Sequence, residues 1–259
     1  MVGPDTEAGR ELRRRYTVAD LHVLTAEETT RFVRHGPGDP QADPVLAWEL
    51  LYRLEPELYD RLATSERLHP AILAWLPRAA DTIVEVGAGT GRLTLELMDR
   101  GQQVVAVEPA LPLRRILQRK LADANNGRRV NVVPGFFDDL PLPRDCADLV
   151  IACSAFTSSP AHGGETGLAE MERVCRTGGC VAIIWPNDVD WLVSRGYQYL
   201  RFDGPMFVQF PSNQEAVELA EVFYPRAVGV IRRDGLVRVP FEVLGINPPR
   251  DLAYKMLTA

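Results

Sequence analysis

From residue 81 onward, short runs of β-branched and other apolar residues alternate with segments whose apolar residues recur at helical spacing. The runs predict five strands, at residues 82–86, 103–108, 130–133, 148–153 and 180–185. The segments between them predict helices that contain Leu93, Ile116 and Met171. Strands and helices that alternate through short connections form a parallel sheet with helices on both faces. We therefore expect an α/β, doubly wound domain.

The two ends of the chain have other patterns. Apolar residues at helical spacing between residues 45 and 62, with Pro56 at the start of a second helix, predict a helical N-terminal extension. Beyond a predicted helix at 214–223, Asp234-Gly235 separates the alternating runs 228–233 and 236–241. Asp-Gly between two such runs is typical of a two-residue hairpin. We therefore predict that the sheet ends in an antiparallel C-terminal hairpin.

Composition removes several classes of protein. The chain has 259 residues, a formal net charge of −6 and 46% hydrophobic residues, which excludes disordered and fibrous proteins and disfavours a strongly basic nucleic-acid binder. No run approaches the roughly 18 apolar residues of a membrane helix, and no apolar secretory segment opens the sequence. The four cysteines lack metal-site spacing. We expect a cytoplasmic protein without a metal ion, and arginine-rich, lysine-poor usage suggests a bacterial source.

The glycine loop, residues 87–91, lies between the first predicted strand and its helix and reads Gly-Ala-Gly-Thr-Gly. Glycines let the backbone pass close beneath a ligand, and amides at a helix start donate hydrogen bonds. Glu108, which is 21 residues after Gly87, ends the second strand and can accept both hydrogen bonds of a ribose diol. These features indicate a nucleoside ligand. A dinucleotide site would need glycine where Arg92 stands, which weakens a nicotinamide oxidoreductase as an alternative.

Four motifs in order resemble those of the class I S-adenosylmethionine-dependent methyltransferases. Residues 85–91 are similar to the first motif of that family, and residues 107–109 are similar to its acidic ribose-binding segment. Residues 135–143 resemble the adenine-side segment, and residues 173–179 resemble the turn before strand five. The resemblance covers about residues 81–245. It implies a mainly parallel, seven-stranded, Rossmann-like sheet and S-adenosyl-L-methionine as cofactor.

The resemblance also assigns roles to residues. Glu85 and the backbone of Gly87 and Gly89 would face the methionine portion, and Glu108 would bind the ribose hydroxyls. Phe137 and Asp138 would border adenine, although Phe137 could instead be core and Asp138 solvated. The full predicted set for the cofactor is Glu85, Gly87, Ala88, Gly89, Gly91, Glu108, Pro109, Phe137, Asp138, Cys153 and Ser154.

The acceptor side of the site is less specified. Relatives with this adenine segment often carry a His-Trp pair after strand four, whereas this chain has Ala155-Phe156. His162 in the following loop is the candidate base, with Glu165, Asp190 and Tyr197 as other candidates. The aromatic-rich residues 186–212 fit a lid over a small organic substrate, or a loop packed on the sheet, or a homodimer surface.

We therefore predict a helical cap at 1–80, a methyltransferase domain at 81–245 that includes the lid, and a tail at 246–259. The predicted reaction is methyl transfer to an O, N or C nucleophile of a small metabolite, without nucleic acid or membrane as partner. A non-catalytic S-adenosylmethionine-binding protein is the alternative that the missing His-Trp pair favours. Methylation of a protein also stays open.

Overall fold

The computed structural model describes residues 7–33, 38–77, 80–124 and 127–258. The predicted cap therefore includes residues 1–6, 34–37 and 78–79, which lie outside the described part. The described α-helices are α1 (Glu7–Arg15), α2 (Ala26–Val33), α3 (Pro44–Leu54), α4 (Pro56–Ser65), α5 (Pro70–Trp75), α6 (Thr94–Leu97), α7 (Leu111–Ala122), α8 (Gly164–Val174), α9 (Val189–Val193), α10 (Asn213–Phe223), α11 (Val228–Asp234) and α12 (Phe241–Leu244). Short 3₁₀ helices span Val18–Val23, Gly127–Arg129, Pro160–His162 and Pro225–Ala227.

The strands are β1 (Ala80–Val86), β2 (Gly101–Val107), β3 (Val130–Val133), β4 (Ala147–Cys153), β5 (Cys175–Ile184), β6 (Gln198–Arg201), β7 (Phe207–Gln209), β8 (Arg238–Pro240) and β9 (Asp251–Met256). The chain folds into two compact units. Unit 1 contains residues 1–67 and 204–248, and unit 2 contains residues 68–203 and 249–259. These bounds differ from the predicted ones because the segment after residue 203 packs with the N-terminal helices.

Unit 2 contains the seven-stranded sheet, in the order β3-β2-β1-β4-β5-β9-β6. The first five strands are parallel, and β9 pairs antiparallel with both β5 and β6. Fold class and strand number are therefore as predicted. The chain leaves β1 toward β2 on one side, and β4 follows on the other side, so the switch point of the sheet lies between β1 and β4. Ligands of open α/β sheets bind at the carboxyl ends of the strands at such a switch point.

The core of unit 2 explains why these segments form a sheet. Val84, Val150 and Ile183 on three central strands are fully or almost fully buried, and Leu168 and Met171 of α8 pack against the same cluster. Strands that are covered on both faces have continuous apolar sequences, as these do. On another part of the sheet, Leu117 and Leu121 of α7 pack against Ala106 of β2.

Unit 1 is mainly helical. Asp43 accepts hydrogen bonds from the amides of Val45 and Leu46, and together with Pro44 it begins α3. Pro56 begins α4, as the sequence predicts. The two short strands β7 and β8 pair antiparallel in a separate sheet. The prediction of helical structure over the described part of residues 1–80 is confirmed up to α5, and β1 starts at Ala80.

The residues predicted to form the terminal hairpin do not form it. Residues 228–234 are helix α11, and Gly235, with φ of 64°, ends that helix in the left-handed conformation. An Asp-Gly pair serves a helix end as well as a hairpin turn, because both need a residue with positive φ. The antiparallel end of the main sheet is formed instead by β9 and β6. Residues 246–259, predicted as a tail, thus supply a strand of the sheet.

Candidate functional site

The glycine loop follows β1 at the switch point of the sheet. Gly87, Gly89 and Gly91 have φ values of 74°, 56° and 98°, in the region that residues with a Cβ rarely adopt. The amides of Gly87 and Ala88 both donate to the carbonyl of Val107, which holds the loop against the end of β2. The alternation of glycines that the sequence shows is therefore required by the backbone conformation itself.

Glu108 connects the glycine loop to the segment after β2. Its Oε2 accepts a hydrogen bond from the amide of Gly89, and its Oε1 accepts one from the amide of Ala110, each at 2.8 Å. The Arg114 guanidinium donates to the carbonyls of Glu108 and Pro109 at 2.7 and 2.6 Å. The residue is only 5% exposed. The two amides fix the orientation of this carboxylate at the end of β2.

Glu85 lies below the loop and is 1% exposed. The Thr94 hydroxyl, in the first turn of α6, donates to its Oε2 at 2.5 Å. Burial raises the pKa of this carboxyl to about 8, against the smaller lowering effects of the Thr94 hydrogen bond and the Arg92 charge, and the Glu108 charge adds to the rise. Glu85 is therefore a buried acid without a bonded cation among the described residues.

Phe137 and Phe156 fill a slot whose walls are glycines. Their rings meet edge to face with centroids 5.2 Å apart. A Cβ on Gly87 would lie 2.9 Å from the Phe137 ring, and one on Gly163 would lie 2.2 Å from the Phe156 ring. The two rings are thus packed inward against backbone. Phe137 is half-buried in this slot, and its stacking on adenine stays a prediction.

The rest of the predicted adenine-side segment is held by α8. The Glu170 carboxylate accepts from the amide of Leu140 at 3.0 Å, and Arg173 donates to the carbonyls of Leu140 and Leu142. Arg173 is also bonded to Glu170. Asp138 is an exposed residue of this segment. The sequence motif contains Arg173, but Glu170 was missed because nothing in the chain order links it to residue 140.

Strained backbone marks the carboxyl ends of β4 and β5. Ser154 and Trp185 directly follow these strands and have φ values of 61° and 54°. The Ser154 amide donates to the carbonyl of Ile184 at 3.0 Å, and the Arg92 guanidinium lies 5.5 Å from the Trp185 ring centroid. Non-glycine residues in this conformation are concentrated at functional sites. Cys153, which precedes Ser154, is buried.

The candidate bases have different surroundings. His162 is half-buried in the 3₁₀ helix after Ser159, and its carbonyl accepts from the amide of Thr157 at 2.9 Å. The exposed Glu165 pairs with Arg195 and accepts a hydrogen bond from the Trp191 indole, and the Arg195 partner lowers the Glu165 pKa. Asp190 is exposed. Of these four candidates, His162 lies nearest in sequence to the strained end of β4.

The fourth candidate, Tyr197, is unsuited to proton abstraction. Its hydroxyl donates to Glu172 at 3.1 Å, and the side chain is 3% exposed. Burial first, and then the Glu172 charge, raise the pKa of the phenol strongly. A phenol with a raised pKa holds its proton more tightly, so Tyr197 is a structural hydrogen-bond donor.

Asp251 is a residue that the sequence analysis missed. It starts β9 beside Trp185, whose amide donates to the Asp251 carbonyl at 2.8 Å. Its Oδ2 accepts from the Tyr199 hydroxyl at 2.7 Å, while its buried Oδ1 has no hydrogen-bond partner in the described structure. Burial raises the Asp251 pKa. The two fully buried residues of this strand, Leu252 and Ala253, are adjacent and do not alternate with exposed ones, so no local pattern identifies the strand.

These residues fit an adenosine-containing cofactor. The three glycines have no side chains, so a ligand can lie close to the loop backbone. Glu108 is oriented by its hydrogen bond with the amide of Gly89. The Thr90 hydroxyl in the same loop is buried and has no hydrogen-bond partner in the described structure. An unsatisfied buried hydroxyl is costly, and a bound polar ligand would satisfy it. Among the described residues, no helix is long and apolar enough to cross a membrane.

Comparisons with known proteins agree with this geometry. Residues 83–179 match a family model described as a methyltransferase domain. An uncharacterized methyltransferase of Mycobacterium tuberculosis (strain ATCC 25618 / H37Rv) is 32% identical over 118 residues, which are 45% of this chain and 44% of the relative. A ribosomal RNA small subunit methyltransferase A of Synechococcus sp. (strain JA-2-3B'a(2-13)) is 45% identical over 78 residues, 29% of this chain and 27% of the relative.

The chain therefore spans less than half the length of these curated relatives. Among solved structures, a proposed methyltransferase from an antibiotic biosynthesis pathway of Anabaena variabilis ATCC 29413 superposes with a TM-score of 0.50. The two chains are 16% identical, and the match covers 75% of this chain and 100% of the other. At that identity the likeness concerns the fold alone.

Proposed function

We propose that this chain, whose residues 83–179 match a family model described as a methyltransferase domain, is a class I S-adenosylmethionine-dependent methyltransferase and transfers a methyl group to a small organic metabolite. The observation that carries the proposal is the carboxylate of Glu108, which is oriented by the amides of Gly89 and Ala110 beside a loop of three left-handed glycines. S-Adenosyl-L-methionine is the cofactor of this family.

The residues that would hold the cofactor surround the switch point of the sheet. Glu108 would accept hydrogen bonds from the ribose hydroxyls, with Pro109 behind it. The glycine loop, including Ala88, would lie along the methionine portion. Phe137 and Asp138 would border the adenine side, and Cys153 and Ser154 would lie at the end of β4. Glu85, whose carboxyl is buried beneath the loop, would face the methionine portion of the cofactor.

When bound, the cofactor supplies a methyl carbon that is already activated by its sulfonium. The work left to the protein is to hold a nucleophile in line with that carbon and to exclude water. The strained backbone at Ser154 and Trp185 belongs to this task, since a rigid edge fixes the position of whatever binds above it. Such a reaction needs no cluster of catalytic side chains, and a base is required where the acceptor must lose a proton, as a hydroxyl, a protonated amine or a carbon acid must.

His162 is the base that we propose for a hydroxyl or ammonium acceptor. The histidine is half-buried, and its loop is held by backbone hydrogen bonds of Thr157 and Gly164. An imidazole nitrogen can accept a proton from a hydroxyl or an ammonium group. The small size of the acceptor, its O, N or C nucleophile, the cytoplasmic location and a homodimer stay predictions.

Calorimetric binding tests the cofactor assignment. We expect the protein to bind S-adenosylmethionine and S-adenosylhomocysteine, and not NAD. Glu108→Ala should weaken both by about 1.5–3 kcal/mol, the usual contribution of hydrogen bonds to a charged group. Glu96→Ala, which removes an exposed acid from α6, is the matched control and should leave both affinities unchanged. Binding of NAD alone would contradict the proposal.

Transfer of a labelled methyl group tests the activity. The protein is incubated with a panel of small acceptors, which are alcohols, amines and carbon acids, and in separate reactions with ribosomal RNA and with proteins. We expect label in a small acceptor. His162→Asn should lower kcat with little change in KM for a hydroxyl acceptor and should have little effect on a neutral amine, which attacks through its lone pair. Cofactor binding without transfer to any acceptor would favour the non-catalytic alternative, which the absence of a His-Trp pair after β4 supports.

A further inference from the structure

Ser154, Trp185 and Asp251 form a row at the carboxyl edge of the sheet, where they follow β4, follow β5 and begin β9. The Ser154 amide donates to the carbonyl of Ile184 at 3.0 Å, and the Trp185 amide donates to the carbonyl of Asp251 at 2.8 Å. Neighbouring strands lie about 4.8 Å apart, so the backbone of Asp251 is about 10 Å from that of Ser154. A small organic molecule that spans this row would have one end at β4 and the other at β9.

The Asp251 carboxylate at the far end of this row is only half satisfied. Its Oδ2 accepts a hydrogen bond from the Tyr199 hydroxyl at 2.7 Å, whereas its Oδ1 is buried and has no hydrogen-bond partner in the described part of the chain. Arg201, opposite Asp251 on β6, and Arg250 act on it through their charges, but neither donates to Oδ1. A carboxylate oxygen that is shielded from water and lacks a donor is costly. A donor supplied by a ligand would remove this cost.

Asp251 lies on the same face of the sheet as α8 and the loop of the candidate base. Alternate residues of a strand share a face, so Asp251 is on the face of Ala253. Ala253 packs in the cluster that contains Phe156 and residues of α8. Phe156 belongs to the loop after β4 that also carries His162. Tyr199, the partner of Asp251, is 40% exposed, so the pair lies at the rim of this edge and not in the core.

We propose that Asp251 binds a protonated amine of the methyl acceptor, so that the substrate of this chain is an amino metabolite. This inference rests on the proposed function and adds the substrate class to it. The ammonium group donates a hydrogen bond to Oδ1, and its charge pairs with the carboxylate. It keeps its protons and has no lone pair, so the methyl group is transferred to another atom of the same molecule, nearer to β4. The ammonium group positions the acceptor and takes no part in the transfer itself.

The geometry favours an ammonium group over other donors. A guanidinium binds a carboxylate most strongly through two parallel hydrogen bonds, one to each oxygen. Here Oδ2 is already bonded to Tyr199, and one oxygen is left. An ammonium group is a compact charge that is suited to a single acceptor. A neutral hydroxyl would add no charge beside a carboxylate whose bonded donor, Tyr199, is itself neutral, and a carboxylate removed from water normally has a cation.

Comparison of an amine with its alcohol analogue tests the subsite. 6-Amino-1-hexanol and 1,6-hexanediol, which differ only in one end group, are titrated separately into the protein saturated with S-adenosylhomocysteine. Binding is followed by NMR chemical shifts. We expect the amino alcohol to bind at least about tenfold more tightly than the diol, because the diol lacks the charge that pairs with the shielded carboxylate. Equal affinities, or no binding of the amino alcohol, would overturn the inference.

Asp251→Asn tests whether the carboxylate is responsible. Asparagine keeps the shape of the side chain and an oxygen for the Tyr199 hydroxyl, but it has no charge. We expect this variant to bind the amino alcohol no more tightly than the diol, while its affinity for S-adenosylhomocysteine stays that of the wild-type protein. Asp203→Asn, which removes an exposed carboxylate shortly after β6, is the matched control and should preserve the preference. A preference that survives in Asp251→Asn would refute the assignment.

The outcomes separate this inference from the proposed function. If the wild-type protein binds no S-adenosylhomocysteine, the proposed function fails, and the inference fails with it. If it binds this ligand but does not distinguish the two probes, the proposed function stands and the role of Asp251 is refuted. Should Asp251→Asn not fold, nuclear Overhauser effects in the wild-type protein replace it. The methylene group next to the nitrogen of the amino alcohol should show them with the Tyr199 ring, and their absence would contradict the inference.

Discussion

Each unit buries acidic side chains, and the hydrogen-bond partners of these side chains differ between the two units. In unit 1, Arg53 bonds Glu49 at 2.6 Å and Glu28 at 2.7 Å, and all three side chains are at most 10% exposed. In unit 2, the Thr94 hydroxyl is the bonded donor of Glu85. Burial acts to raise the Glu28 pKa, but the hydrogen bond and charge of Arg53 outweigh it and lower the pKa. The Glu85 pKa is raised instead.

The difference indicates which charges serve the fold and which are available for function. The carboxylates around Arg53 are paired with a fixed guanidinium. Glu85 has no fixed cation bonded to it among the described residues, and burial raises its pKa. Perturbed acids of this kind are concentrated at functional sites. The predictions below test this contrast through stability, in the protein without cofactor.

The largest effect is expected at Arg53. Arg53→Met removes the guanidinium and leaves Glu28 and Glu49 as buried carboxylates without it. Loss of one partner of a buried ion pair costs about 3–5 kcal/mol. Chemical denaturation followed by circular dichroism at pH 7 should show this loss in the free energy of unfolding. A loss below about 1 kcal/mol, the usual limit for an exposed pair, would mean that water reaches these charges in the folded protein and that they do not behave as a buried ion pair.

A somewhat smaller effect is expected from the pH dependence of Glu85. Its folded pKa of about 8 lies above the unfolded value, so the folded state holds the extra proton and stability falls as pH rises toward 8. Relative to Glu85→Gln, the wild-type free energy of unfolding should drop by about 2.5 kcal/mol between pH 5.5 and 7.5, since each pH unit well below the folded pKa contributes about 1.4 kcal/mol. If the free energies of unfolding of the wild-type protein and of Glu85→Gln change in parallel with pH, Glu85 is ionised in the folded protein over this whole pH range.

A third test removes the donor to Glu85. Thr94→Val keeps the shape of a fully buried side chain and deletes its hydroxyl. We expect a loss of about 2 kcal/mol at pH 8.5, where the acceptor is a carboxylate, and about 1 kcal/mol at pH 6. Thr90→Val is the matched control, because the Thr90 hydroxyl has no partner in the described structure. Equal losses in the two variants would rule out a special role for the Thr94 bond.

The smallest effect is expected at an exposed pair. Arg232 and Glu221 meet at 2.8 Å, with side chains 62% and 55% exposed. Solvent screens such a pair, so Arg232→Ala should change the free energy of unfolding by less than about 0.5 kcal/mol. The same denaturation experiment measures it. A loss comparable to that of Arg53→Met would mean that burial does not decide the contribution of ion pairs in this protein.

Local patterns predicted the parallel part of the fold well. The five apolar runs correspond to β1–β5, because strands buried on both faces must be apolar along their length. The antiparallel end was misplaced for a physical reason. Positive φ at Gly235 is compatible with both a hairpin and a helix end, and the burial of Ile231 within unit 1 decides for the helix. Which strand lies beside β5 depends on interactions between segments that are distant in sequence.

The candidate site was predictable where backbone conformation dictates residue type. The glycines at 87, 89 and 91 all adopt positive φ, so their spacing had to appear in the sequence. The bond between Glu170 and the amide of Leu140, and the Asp251–Tyr199 pair, join segments 30 and 52 residues apart. Nothing in a local pattern specifies such a partner. The positions of the other cofactor residues relative to bound cofactor remain predictions.

The place of β9 in the sheet affects how the protein is made. β6 is hydrogen-bonded to the sheet through β9, which follows it by about fifty residues along the chain. During synthesis, β5 therefore leaves the ribosome with an unpaired edge, and β6 emerges before the strand on which it will pair. Exposed strand edges promote aggregation. Until residues 251–256 arrive, that edge of β5 stays open to pairing with another strand.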